Sequence, residues 1–132
     1  VTRENTLATA LDRVPYISLL SYKRDGNGVE TPVWAAPLDG GLVVFTLKDS
    51  FKVKRIRRNP KVRVAKCTVS GKVLGPWMDG TCVVVEDPEK EARAYQALNA
   101  KYGLMMKMGT FFRRLTGGLD KRTVLEITLS AA

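Results

Sequence analysis

The segment with the most chemical content is Thr46-Leu47-Lys48-Asp49-Ser50-Phe51-Lys52-Val53-Lys54-Arg55-Ile56-Arg57-Arg58-Asn59-Pro60. It begins where an apolar run ends and changes to helical period near Ser50. A helix N-terminus presents free N–H groups and partial positive charge, which suit a phosphate. Ser50 adds a hydroxyl, and Lys52 and Arg55 lie three apart, on a different face from Val53 and Ile56. Those four features make a candidate phosphate pocket. On composition alone the same block also reads as a solvated basic helix. What the chain lacks narrows the chemistry further. It has no histidine, which removes His-ligated zinc and the Ser-His-Asp and Cys-His nucleophile systems. Cys67 and Cys82 are fifteen positions apart with no Cys-x-x-Cys, so they read as reduced, small apolar residues. No carboxylate cluster has metal-ligand spacing, and neither a metal site nor a catalytic side chain is expected.

The elements that must position this segment follow from the surrounding pattern. At 132 residues and 45% apolar the chain can bury a core, and residues 1–132 are expected to form a single domain. Tyr16 to Tyr22 is an apolar run closed by Lys23-Arg24-Asp25-Gly26-Asn27-Gly28, a turn signal. Val29 to Leu38 reads as one extended strand, with Pro32 and Pro37 arguing for an edge or a bulge. Asp39-Gly40 then predicts a hairpin into Leu42 to Leu47. Pro60 ends the short helix that Ser50 caps. Lys61 to Val69 and Trp77 to Glu86 read as strands. Asp87-Pro88 opens a helix with the stripe Ala92, Tyr95, Leu98 and Tyr102, stopped by Gly103. Leu104 to Leu115 fits a further helix interrupted by Gly109. Thr123 to Leu129 alternates as a last strand. The sum is a mainly β (α+β) domain: a six-stranded antiparallel barrel with two or three peripheral helices.

Charge is concentrated. The net charge is +9. Lys48 to Lys66 contributes nine basic residues against Asp49, and Lys101 to Arg122 contributes six against Asp120. Either block can face a phosphate, a polyanion or water. No stretch nears eighteen uninterrupted apolar residues, so no membrane span is expected. Val1 to Arg13 carries four charges and no apolar stretch, unlike a signal peptide, and a soluble cytoplasmic protein is expected.

Several motifs, taken in order, resemble the split β-barrel family related to pyridoxamine 5′-phosphate oxidase, whose members use flavins and deazaflavins. Thr46, Ser50, Lys52 and Asn59-Pro60 stand in the family's spacing. Thr31-Pro32-Val33-Trp34, the Asp39-Gly40 hairpin and Asp79-Gly80-Thr81 running into Val83-Val84-Val85 and Asp87-Pro88 are also similar. The resemblance spans about Tyr16 to Leu129. The oxidases themselves carry an Arg and a Lys on the second strand, where this chain has Pro32-Val33-Trp34-Ala35-Ala36-Pro37. The short chain and its Lys/Arg-rich segment look more like the actinobacterial branch that uses coenzyme F420, with FMN as the alternative. The resemblance implies hydride transfer between F420 and a small organic substrate. It also implies a homodimer with the cofactor site between protomers. Leu104 to Phe112 offers apolar side chains for such an interface. Val33, Trp34 and Thr46 would line the deazaflavin ring, and Ser50, Lys52 and Arg55 would hold its phosphate. From another class, a basic β-barrel can bind single-stranded nucleic acid. Only Phe51 is interleaved with the first basic block, which places nucleic acid well behind.

Overall fold

The computed structural model describes residues 15–48, 50–102 and 122–130. The expected segment Leu104 to Leu115, with its interface role, lies outside these residues. Seven strands form one antiparallel sheet: β1 (Ile17–Tyr22), β2 (Gly28–Val33), β3 (Ala35–Leu38), β4 (Gly41–Leu47), β5 (Lys61–Lys66), β6 (Met78–Val85) and β7 (Arg122–Leu129). Two helices are described, α1 (Phe51–Arg58) and α2 (Pro88–Tyr102). The strand order is β2-β1-β5-β6-β7-β4-β3.

That order corrects the expected six strands to seven, and the reason is local. The run Val29 to Leu38 is two strands separated by Trp34. β2 pairs with β1 and β3 pairs with β4, so these consecutive strands occupy opposite edges of the sheet. A single residue therefore joins the two edges, which the sheet can allow only by curling until they meet. Pro32 and Pro37 sit on these edge strands, where a missing N–H costs least.

The strand period then sorts the side chains into two cores. The inner cluster draws on all seven strands, including Ile17, Leu19, Val33, Ala35, Leu42, Val64, Cys82 and Ile127, and on Val53 and Ile56 of α1. The outer cluster is Ala36, Val43, Val85 and Val124 against Ala94, Leu98 and Tyr102 of α2. α1 thus fills the curl while α2 covers the outside. The stripe expected on α2 shifts: Ala94 is buried and Ala92 is exposed. The spacing Ala94, Leu98, Tyr102 is a strict i+4 ridge, which fits a helix lying along a sheet.

Turn chemistry sets the register. Asp39 (φ 52°) and Gly40 (φ 82°) form the two-residue link between paired Leu38 and Gly41, so both central residues have positive φ. A Cβ on Gly41 would lie 2.5 Å from the Ile127 carbonyl oxygen, so the β4–β7 approach requires glycine there. β5 stops at Lys66, earlier than the expected Val69. Cys67 instead makes an isolated bridge to Val73 around the turn at Gly71. Both cysteines are free and buried.

Candidate functional site

The seam where β2 passes to β3 is also where the ends of several elements converge. Around it lies a cavity of about 340 Å³ lined by Tyr16, Pro32, Val33, Trp34, Phe45, Thr46, Lys52 and Arg122. This size falls in the lower part of the range for ligand pockets. Three aromatic rings and two cations line it, with no carboxylate among these residues.

Each lining group has a structural reason for its place. Trp34 bridges the edges and is held on three sides. Its ring stacks on Tyr102 at 4.7 Å and 10°, meets Phe45 edge-on at 6.0 Å, and lies 6.4 Å from Tyr16. Thr46 stands opposite Thr123 in the β4–β7 ladder, near the end of β4. The Arg122 guanidinium lies 4.7 Å above the Phe45 ring, a cation–π contact. Lys52 sits in the first turn of α1, partly buried. Burial and then the neighbouring Arg55 charge push its amine below the ordinary lysine value of 10.5. Both causes disfavour the ammonium form, and an anion placed beside it would offset both.

The six residues expected at the site divide. Val33, Trp34, Thr46 and Lys52 line this cavity together. Ser50 and Arg55 stand in the same element but outside the lining. Ser50 caps α1, its Oγ accepting from the Val53 N–H at 3.4 Å. Arg55 donates through Nε to Ser21 Oγ at 2.9 Å, tying α1 to β1. The lining also takes Arg122, the end of the second basic block, and Tyr16 and Phe45, which sequence alone does not place here, because they come from separate strand ends that only the curled sheet brings together. Trp77 lies outside the lining.

Much of the first basic block is committed locally. Arg57 faces Glu86 at 3.5 Å, Arg63 pairs with Asp79 at 2.8 Å, and Arg58 donates to the Tyr22 carbonyl at 3.3 Å. No group of three or more Cys, Asp or Glu side chains with metal-binding geometry occurs among the described residues. No helix among them is long and apolar enough to cross a membrane.

Comparison with known proteins adds a lineage to this geometry. No curated protein matches the chain. Solved structures do, at low identity. A Listeria innocua protein crystallised as a candidate pyridoxamine 5′-phosphate oxidase is 17% identical, with TM-score 0.67 over 98% of this chain and 94% of that one. A conserved hypothetical protein of Mycobacterium tuberculosis is 21% identical, with TM-score 0.70 over 98% and 81%. An FAD-binding protein of Mesorhizobium loti is 16% identical, with TM-score 0.65 over 95% and 86%. At these identities they share the fold. The family model for pyridoxamine 5′-phosphate oxidase matches residues 4–132. With nearly its whole length matched, the chain belongs to the pyridoxamine 5′-phosphate oxidase family of split β-barrels.

Proposed function

We propose that the seam cavity holds the ring of a flavin-type cofactor, specifically the deazaflavin coenzyme F420, and that the protein is an oxidoreductase acting on a small organic substrate. The observation that carries this reading is the lining itself: three rings and two cations with no carboxylate. A flat, largely apolar ring finds stacking surfaces in Trp34, Phe45 and Tyr16. The phosphodiester and glutamates of F420 find cations in Lys52 and Arg122. The residues present therefore fit the group. When bound, the cofactor supplies hydride transfer, and the protein supplies orientation and exclusion of water. That division suits a site whose lining contains no acid–base pair. The missing basic residues at Pro32 to Pro37 favour F420 over FMN, which remains the alternative cofactor in the same cavity.

A cavity of about 340 Å³ does not enclose such a cofactor by itself. A second copy of the chain completes it in this reading. Leu47 and Phe51, adjacent in sequence to the lining residues Thr46 and Lys52, have 47% and 73% of their surface exposed, which is apolar area a partner would cover.

One titration series tests the proposal. The purified protein is mixed in turn with F420, FMN, haem and a short single-stranded oligonucleotide, at matched ionic strength. F420 is expected to bind most tightly. Tighter binding of the oligonucleotide would replace this reading with a nucleic-acid barrel. Haem is expected to bind poorly, because a chain without histidine lacks the usual axial ligand.

A further inference from the structure

Tyr102 does not line the cavity, yet it makes several specific contacts at the seam. Its ring lies parallel to Trp34 at 4.7 Å. Its hydroxyl accepts from the Ala35 N–H at 2.9 Å and stands 2.9 Å from the Pro15 carbonyl and 3.0 Å from the Ala35 carbonyl. The neighbouring Lys101 donates to that same Ala35 carbonyl. The last turn of α2 thus grips the one-residue crossover from both directions: the ring through Trp34 and the backbone through Ala35.

Such a grip has a physical purpose. Trp34 and Ala35 lie where the chain leaves one sheet edge for the other, and ladder pairing ends on one side of Trp34 and restarts on the other. Trp34 at this junction has no ladder partner of its own, so its orientation is left to its ring contacts with Tyr16, Phe45 and Tyr102. Tyr102 is buried and anchored at its far end, so it presents a flat surface whose orientation is set by backbone groups. Stacking on it turns the Trp34 indole into a rigid wall of the cavity.

We infer that Tyr102 is a positioning residue for the cofactor ring, acting through Trp34 to set the plane against which a tricyclic ligand packs. The inference rests on the reading of the cavity as a ring site. It adds that the ring plane is dictated from outside the barrel, by α2, and independently of the phosphate contact at Lys52.

That independence supplies the test. F420 and its phosphate-free deazaflavin core are titrated against the full chain and against Tyr102→Leu, Tyr102→Phe and Trp34→Ala, with the induced circular dichroism of the bound deazaflavin recorded. Loss of an aromatic stack corresponds to roughly a threefold to tenfold change in affinity. Tyr102→Leu is expected to weaken both ligands by about that factor equally, leaving their affinity ratio unchanged, and to diminish the induced dichroism. If Tyr102→Leu does not fold, Tyr102→Phe carries the test: losing the backbone anchors should weaken both ligands equally, by roughly twofold to threefold, with the same spectral change. The inference is overturned if the folded Tyr102 variants bind both ligands with parental affinity and dichroism while Trp34→Ala loses them. It is also overturned if only the phosphate-bearing ligand is affected. If Trp34→Ala itself binds the deazaflavin core like the parent, the ring-site reading has failed instead.

Discussion

At the scale of single residues, Lys52 carries the sharpest prediction. If it pairs with the cofactor phosphate, the contact is a charge-assisted hydrogen bond. Such a bond contributes on the order of 1.5–3 kcal/mol, or roughly ten- to hundredfold in affinity. Lys52→Ala should weaken F420 binding by about that factor and leave the fold intact, since Val53 and Ile56 provide the packing of α1. Lys61→Ala is the control, because Lys61 lies on β5 outside the seam lining. It should lose much less, and that loss should fade with salt. Equal losses in both variants at moderate salt would mean a diffuse basic surface. Cys82 yields a prediction in pH. Its thiol is fully buried. Burial first, then the Glu126 charge, pushes it from 9.0 up to about 12. The folded chain keeps this proton while the unfolded chain releases it, so the stabilisation is complete below pH 9 and is lost as pH rises towards 12. Unfolding free energy should fall by up to about 1.4 kcal/mol per pH unit in that window. Cys82→Ala should start less stable at pH 7 but show a shallower alkaline decline in denaturant titrations.

At the scale of elements, the helices and hairpins answer to local chemistry. Ser50→Ala removes the cap of α1 and should cost about 1 kcal/mol of stability, visible as a lower midpoint in urea. Because Lys52 is two residues further on, the same change should also loosen cofactor binding if α1 positions the phosphate. Gly41→Ala should be worse. Its Cβ meets a backbone carbonyl on β7, which cannot rotate away as a side chain would. The strands must separate, at a cost of roughly 1–3 kcal/mol, while the adjacent turn at Asp39 and Gly40 keeps its geometry. Thermal unfolding that is unchanged in Gly41→Ala would show that the β4–β7 ladder tolerates the displacement.

At the scale of the whole molecule, Leu47 and Phe51, next in sequence to the lining residues Thr46 and Lys52, are exposed apolar side chains. A homodimer that closes the site across the seam should be present at micromolar concentration. Phe51→Glu should shift it towards monomer and weaken F420 binding together, as measured by sedimentation with and without cofactor. A wild-type monomer that still binds F420 at full affinity would defeat the shared-site arrangement. The two helices divide the labour in this view. α1 fills the barrel and brings Lys52 to the cavity, whereas α2 stays outside and backs the cavity wall, most directly through the Tyr102–Trp34 stack.

The amino-acid order alone determined the elements whose signals are local. Asp39-Gly40 specified a hairpin because both positions need positive φ. Ser50 and Pro60 bounded α1, and Asp87-Pro88 opened α2 where the structure begins it. Four residues of the cavity lining, Val33, Trp34, Thr46 and Lys52, were legible from family spacing and from lying at strand and helix ends. What the sequence could not supply was any consequence of closing the sheet. Nothing in Val29 to Leu38 signals that the chain leaves one edge at Trp34 and restarts on the other, because extended backbone looks the same before and after the break. The places of Tyr16, Phe45 and Arg122 at the cavity depend on that closure, as does the grip of Tyr102 on Ala35, sixty-seven positions away. The side chain of Arg55, equally cationic on paper, was drawn to Ser21 once β1 lay beside α1. Local dihedral preference and capping act within a few residues. Only long-range burial, which requires the curled sheet, decides which strand ends meet.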